Sequence, residues 1–305
     1  MKNFWQYLKD RFPLQVNGSL ILSYFAANYL LAYGAEWPDE KLRLSWRFAA
    51  GSLALLLMFF HLRVIDEHKD YEQDRIVHPQ RLLSRGLVTL RQLHSAGFIA
   101  FVLELVLSLL LGWPAFFMYL ILLALSWLIY KGFYADEVLQ RHLLVNAFLH
   151  LLIMPVYSLF VFAIAVERYP WDAPIVMLFY AWVSYGVGIA YELARKTRAP
   201  GDERPGLITY SAVIGPYPAA YGVLAALLFS GTLSALVGGL MKFGVGYHLA
   251  VSGLLLLVTF GILDFRLRTN TLTAGRLPIY AGIFIFAFDW LLAAELIRLH
   301  GLALA

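Results

Sequence analysis

Nine stretches of mostly apolar residues govern what this chain of 305 residues can become. They run Val16–Trp37, Trp46–Val64, Leu93–Gly112, Pro114–Tyr130, Leu143–Val166, Pro174–Tyr191, Pro218–Leu236, His248–Phe265 and Leu277–Ile297. Each is about 17–24 residues long, enough to cross a hydrocarbon core of about 30 Å as a helix. They are apolar all round, whereas a membrane β-barrel would alternate over about ten residues per strand. A helix also satisfies its own backbone where no water is available to do so. The expectation is an all-α, polytopic integral membrane protein whose nine transmembrane helices form a single domain over residues 1–305. Gly112-Trp113-Pro114 and Gly238-Gly239 supply turn chemistry between spans.

Composition narrows the function classes. Hydrophobic residues make up 61% of the chain and charged residues 14%, with a mean hydropathy of +0.69. A soluble domain needs about a quarter of its residues charged to cover its surface. A soluble enzyme, a disordered chain and a nucleic-acid-binding domain are therefore excluded. No cysteine is present, which excludes disulfides and thiolate chemistry. Met1–Gln15 is charged and aromatic, and no small-residue cleavage site follows the first span, so a retained signal anchor is expected. With the N-terminus cytoplasmic, eighteen of the 24 Lys and Arg fall on the cytoplasmic side. The C-terminus then faces outward, and the expected setting is a bacterial cytoplasmic membrane.

The scarce charge is concentrated. Residues 63–91 hold eleven charges and residues 192–204 hold seven, and the topology puts both segments on the cytoplasmic face. In the first, a helix running on from the second span stacks Asp66, Asp70 and Asp74 at i, i+4 and i+8, with Glu67 beside them. Like charges at that spacing destabilise a helix unless something neutralises them. One solution is Mg²⁺, which favours a few carboxylates plus substrate phosphate oxygens over a closed protein cage. The other is a solvated helix end with ion pairs to Lys69 and Arg75.

The stretch Asp66-Glu67-x-x-Asp70-x-x-x-Asp74-Arg75 resembles the first aspartate-rich motif of the UbiA superfamily of intramembrane prenyltransferases, Asn-Asp-x-x-Asp-x-x-x-Asp. Asp66 stands at the Asn position and Glu67 at the first Asp. Arg81-Leu82-Leu83-Ser84-Arg85-Gly86 is similar to the family's Arg-Pro-Leu-x-x-Gly, with Leu82 replacing the proline. Arg11-Phe12-Pro13 and Asn17-Gly18 are similar to the family's entry into its first helix. After the sixth span, Asp202-x-x-x-Gly206 and Thr209 match the end of the family's second acidic motif. Arg198, Ala194 and Arg195 stand where its inner carboxylates would be, and Glu192 is a displaced substitute.

The resemblance implies a Mg²⁺-dependent membrane prenyltransferase. The donor is a prenyl diphosphate, and the acceptor is a small or lipidic molecule such as an aromatic ring, a tetrapyrrole or a sugar phosphate. Membrane lipids are the other partners, and no nucleic acid is expected. The resemblance assigns Asp66, Glu67, Asp70 and Asp74 to catalysis and metal binding, with Asp202 as a further metal ligand. Arg75, Arg81, Lys131, Arg195, Lys196 and Arg198 are the diphosphate-binding candidates. The last three can replace a second metal as direct cationic partners of the diphosphate, or they can simply satisfy the positive-inside rule.

In the fifth span, His142, Asn146 and His150 lie at i, i+4 and i+8, with Tyr157 a further step along. Asn146 and His150 are candidates for the substrate pocket, and interhelical hydrogen bonding is the alternative. Glu104 and Asp289 are isolated acids within spans, either structural, and open to pairing with each other, or part of a pocket. Two rival functions stay open: a transporter or permease, and a non-catalytic relative that binds prenyl diphosphate. CDP-alcohol phosphotransferases are excluded, because their Asp-Gly-x-x-Ala-Arg core is absent.

Overall fold

The computed structural model describes residues 2–204 and 206–304; Met1, Pro205 and Ala305 of the expected 1–305 domain lie outside the described residues. The chain opens with a surface helix, α1 (Lys2–Arg11), followed by α2 (Leu14–Glu36), α3 (Trp46–Lys69) and the short α4 (Tyr71–Val77). Next come α5 (Leu90–Leu110), α6 (Trp113–Tyr130), α7 (Asp136–Arg141), α8 (Leu143–Leu151) and α9 (Ile153–Val166). The last part holds α10 (Ile175–Arg195), α11 (Tyr210–Ile214), α12 (Pro216–Leu240), α13 (Val245–Leu267) and α14 (Thr271–His300). Two three-residue strands, β1 (Leu42–Leu44) and β2 (Leu302–Leu304), pair in parallel and tie the end of α14 to the start of α3.

Local sequence sets the boundaries. Thr89 and Gln92 form a capping box that starts α5, and Asn270 and Thr273 do the same for α14, each pair satisfying backbone N–H groups that the first turn leaves free. Between α5 and α6, Gly112 adopts φ +105°, a conformation open to glycine, and Pro114 follows in the first turn of α6.

Eight helices among the described residues are long and apolar enough to cross a membrane, counting α8 and α9 as one. The ninth expected span, Val16–Trp37, falls on α2, which has 23 residues but is not among the eight. Ser23, Asn28, Tyr24, Tyr29 and Tyr33 lower its hydropathy, and the packing explains why that is tolerated. Successive spans form a ring in which α3 packs on α5, α5 on α6, α6 on α9, α9 on α10, α10 on α12, α12 on α13 and α13 on α14, and α2 closes it between α14 and α3. Helix α2 packs against α3, α9, α10 and α14 and is buried from Ser23 to Gly34. A helix that meets protein on most sides needs little lipid-compatible surface.

Its polar groups are paired internally. Tyr24 donates to the carbonyl of Met154 at 2.9 Å and lies 2.8 Å from the Ser158 hydroxyl, which is 3.1 Å from that of Ser184. Ser23 and Tyr180 donate to the two carboxylate oxygens of Asp289, at 3.3 and 2.7 Å. Asp289 is thus a structural hydrogen-bond centre between α2, α10 and α14. It does not pair with Glu104, which is held by His61 and Tyr119 on the other side of the bundle.

Candidate active site

Helix α3 runs past the apolar core into the acidic segment, as the sequence predicts, but it does not continue unbroken. Asp70 (φ −93°, ψ 2°) ends α3 and begins α4. The ladder crosses the break, because Asp70 N–H donates to Asp66 at 2.9 Å and Asp74 N–H to Asp70 at 2.8 Å. The four acids therefore keep helical spacing within an arc of about 100°, and their partners divide that arc. Glu67 and Asp74, seven residues apart, form the face at one edge of it; Asp66 and Asp70, four apart, form the face at the other.

The first face turns toward α1. Glu67 is 2% exposed and accepts a hydrogen bond from Arg11 Nε at 2.7 Å. Asp74 accepts from Arg81 Nη1 and lies 3.9 Å from Arg11 Nη2. Tyr7 anchors α1 by packing with Val64, Leu83, Val88 and Leu93. Its hydroxyl has no hydrogen-bond partner among the described residues, and burial together with the charge of Glu67 pushes its pKa up. Burial, with the positive charge of Arg11 next, lowers the pKa of Arg81. Arg11 and Arg81 thus neutralise two of the four carboxylates. Sequence inspection ties Arg11 to the entry of the first helix and gives it no role toward the acids. The signal was its position at the membrane surface, two residues before Pro13.

The second face is open. Asp66 retains 51% side-chain exposure, and Arg63 is 4.0 Å away. The Asp70 carboxylate has no hydrogen bond or ion pair among the described residues. Desolvation and the neighbouring charge of Asp74 raise its pKa above the ordinary carboxylate range, against the opposing charges of Lys69 and Lys196. Asp66 also lies within electrostatic reach of Arg195. The acidic end of α3 and the basic end of α10 therefore lie within electrostatic reach of each other.

On α10, Glu192 holds the local cations in place. It accepts from Arg195 at 2.6 and 2.8 Å and from Lys196 at 2.8 Å, and Tyr210 donates to it at 3.3 Å. Burial, followed by the charge of Glu192, raises the pKa of Tyr210. Arg198 is exposed and has no ion pair among the described residues; its backbone N–H donates to Ser211 at 2.7 Å. Asp202 accepts from Thr271 at 2.8 Å, which ties the loop after α10 to the first turn of α14. Glu203, absent from the sequence candidates, accepts from Thr209 at 2.8 Å and Ser211 at 2.6 Å and closes that loop.

Not every candidate joins this cleft. Arg75 is 53% exposed, 3.8 Å from Glu72 and over the Tyr71 ring, directed away from the open acids. Lys131 follows the last turn of α6 and sits over Trp127 and Tyr130. His150 falls within reach of the charges of Lys69, Glu192 and Lys196, and its Nδ1 donates to the carbonyl of Asn146 at 2.8 Å. His142 caps α8, which carries Asn146 and His150, and Leu152 separates α8 from α9, so the expected polar stripe is interrupted once, before Tyr157. Tyr157 is buried in α9 and stacks on Phe59.

Among the described residues, no three His, Asp or Glu side chains converge in metal-binding geometry. The open pair Asp66 and Asp70 nonetheless fits Mg²⁺, which takes one or two carboxylates and completes its octahedron with phosphate oxygens and water. Glu67 and Asp74 already have arginine partners in Arg11 and Arg81.

A ring of membrane-length helices, with an acidic helix end within electrostatic reach of a basic one, defines a class: a polytopic membrane protein that concentrates charge of both signs at one end of its bundle. The chain belongs to the UbiA prenyltransferase family, whose model matches residues 20–292. No curated protein sequence matches it significantly. Solved structures of the same fold do. A digeranylgeranylglyceryl phosphate synthase is 18% identical, with a TM-score of 0.63 over 98% of this chain and 100% of that one. A UbiA homologue from Aeropyrum pernix K1 is 15% identical, with a TM-score of 0.66 over 93% and 98%. A UbiA homologue from Archaeoglobus fulgidus, bound to GPP and Mg²⁺, is 14% identical, with a TM-score of 0.56 over 92% and 99%. At these identities the likeness establishes the fold. Family membership places the chain among the membrane prenyltransferases and leaves the transporter reading without support.

Proposed function

We propose that this protein transfers a prenyl group from a prenyl diphosphate to a small or lipidic acceptor and releases diphosphate, with Mg²⁺ as cofactor. One observation carries the reading: the open carboxylates of Asp66 and Asp70 at the end of α3 lie within electrostatic reach of Arg195 and Lys196 at the end of α10. The Archaeoglobus homologue bound to GPP and Mg²⁺ supports it by analogy. Asp66 and Asp70 hold the metal, and Arg195 and Lys196 face the diphosphate oxygens from the other side. Arg198, unpaired at the same end, adds a third positive group. Glu67 and Asp74 are positioning residues here, fixing the end of α3 through Arg11 and Arg81. Asp202, bound to Thr271, sets the loop that carries Arg198.

When bound, Mg²⁺ supplies positive charge to the leaving diphosphate. The C1–O bond breaks heterolytically, its electron pair departs with the diphosphate, and an allylic cation remains. Arg195 and Lys196 stabilise the charge that develops on the leaving group, and their ion pairs to Glu192 hold them in place beforehand. A nucleophilic atom of the acceptor then bonds to C1, and the proton it loses is taken up by the released diphosphate. The N-terminus and both charged segments are cytoplasmic, so donor head group and metal enter from the cytoplasm.

Diphosphate release from radiolabelled prenyl diphosphates by the purified protein, across a panel of acceptors, tests the reading. Release should require Mg²⁺ and disappear with chelation. Absence of release with every donor, or release that persists without divalent metal, would refute it.

A further inference from the structure

Helix α1 has one face that the fold uses and one that it leaves bare. Phe4, Tyr7, Leu8 and Arg11 fall within an arc of about 100°. The first three join the cluster around Val64, Leu83, Val88 and Leu93, and Arg11 reaches Glu67 at 2.7 Å. Asn3 donates to the carbonyl of Leu87 at 3.3 Å and pins the other end. Lys2, Trp5 and Lys9 lie on the opposite side, within about 60° of one another, and all three are exposed. Trp5 keeps 59% of its surface free. Lys2 and Lys9 have no ion pair among the described residues. The acid of this helix, Asp10, accepts from Gln6 at 2.8 Å on the flank between the two faces. The outward arc is therefore an indole between two uncompensated ammonium groups.

Its level along the bundle decides what it meets. Val64 ends the apolar run of α3 and Leu93 begins that of α5, so the side chains that dock α1 mark the level at which two spans leave the hydrocarbon. A helix lying there is interfacial. Past Pro13 the chain turns into α2, whose first residues Leu14 and Val16 are exposed as well. The head-group layer suits such a face: tryptophan is favoured at the membrane–water boundary, and each lysine gains from phosphate near an anionic surface. One indole and two lysines offer far less than the roughly 800 Å² per side of a specific protein interface.

We propose that α1 seats on anionic phospholipid head groups, with Trp5 among them and Lys2 and Lys9 on their phosphates, and that this contact keeps Arg11 docked on Glu67. The surface points away from α3 and from the diphosphate cleft, and the proposal does not depend on the prenyl-transfer reading.

Because the chain has no cysteine, Gln6→Cys places a single nitroxide beside the outward arc of the full chain. Nanodiscs of phosphatidylcholine alone are compared with discs that also contain phosphatidylglycerol. In the anionic discs the label should be severalfold less accessible to a neutral, water-soluble nickel chelate, and high salt should cancel the difference by screening. Lys2→Gln with Lys9→Gln should remove the response to phosphatidylglycerol, and Trp5→Ala should raise accessibility in both lipids. The paired lysine variant should also lower the midpoint of thermal unfolding in anionic discs and leave it unchanged in neutral ones. All four substitutions fall on exposed side chains, where the fold tolerates change. Equal accessibility in both lipids, a lipid response that survives loss of both lysines, accessibility unchanged by Trp5→Ala, or an unfolding midpoint in anionic discs that ignores the lysines would overturn the proposal.

Discussion

The acidic end of α3 and the basic end of α10 are opposites in sign and alike in construction. At the end of α3, four acids are divided: Arg11 and Arg81 neutralise Glu67 and Asp74, while Asp66 and Asp70 stay open. At the end of α10, three cations follow one acid: Glu192 holds Arg195 and Lys196, while Arg198 has no ion pair among the described residues. Each segment thus contains its own counter-charge, which fixes geometry, and a remainder, which is available to a ligand. The partner of a charged residue, more than its type, separates positioning from binding here. A family-like motif of four acids need not mean four metal ligands.

The largest effect that tests this division falls on the open acids. Asp70→Ala removes one of the two carboxylates that stay open toward the cleft and should lower the diphosphate release rate by about 10²–10³-fold, the scale of losing a transition-state charge contact. Glu67→Gln should leave a measurable rate under the same assay, because its partner is Arg11 and not the cleft. If Glu67→Gln were as inactive as Asp70→Ala, the two faces of α3 would not be functionally distinct.

The positioning half should show in stability. Arg11→Ala leaves Glu67 buried without its ion pair, and removing one partner of a buried pair costs about 3 kcal/mol. Arg11 is itself partly exposed at 23%, so the lower end of the range applies. Thermal unfolding in detergent should move down, and Arg11→Ala with Glu67→Leu together should recover much of the loss by removing the stranded charge. An unchanged unfolding midpoint in Arg11→Ala would mean that α1 does not hold α3.

On the basic side, Arg195→Ala and Lys196→Ala should each weaken donor binding by about tenfold, the value of one charge-assisted hydrogen bond. Acceptor KM should change less. Equal donor affinity in both variants would assign these residues to the positive-inside rule alone.

Much of the fold was legible because nine apolar runs leave a membrane chain few alternatives. The departure at α2 is instructive: hydropathy measures what a helix can show to lipid, and α2 shows mostly protein. The acidic motif was legible as spacing, since Asp66, Asp70 and Asp74 do continue one ladder through the break at Asp70. Its division was not, because Arg11 comes from 56 residues earlier and reaches Glu67 through the docking of α1. Spacing along a helix gives the relative angle of two side chains and is silent on what a distant segment brings to each face. The same limit hid Glu203, whose partners Thr209 and Ser211 belong to a loop with no periodicity to read.

The smallest effect concerns the two arginines beside Asp74, which the sequence treats alike. Arg75 follows Asp74 directly and so points about 100° away from it on the helix, where it meets Glu72 and the Tyr71 ring in solvent. Exposed pairs of this kind are worth about 0–1 kcal/mol, and Arg75 contacts nothing in the cleft. Arg81 comes back through the following turn to donate to Asp74 and helps keep that acid away from the open pair. Arg75→Ala should therefore change the release rate by less than about twofold, within the scatter expected of a surface substitution. Arg81→Ala should lower it further, because Asp74 is then free to compete for the metal or to repel Asp70. Steady-state release rates of the two variants at saturating Mg²⁺ make the comparison directly. A loss in Arg75→Ala as large as that in Arg81→Ala would mean that the bound state draws Arg75 into the cleft, and the division between positioning and binding charges would have to be redrawn there.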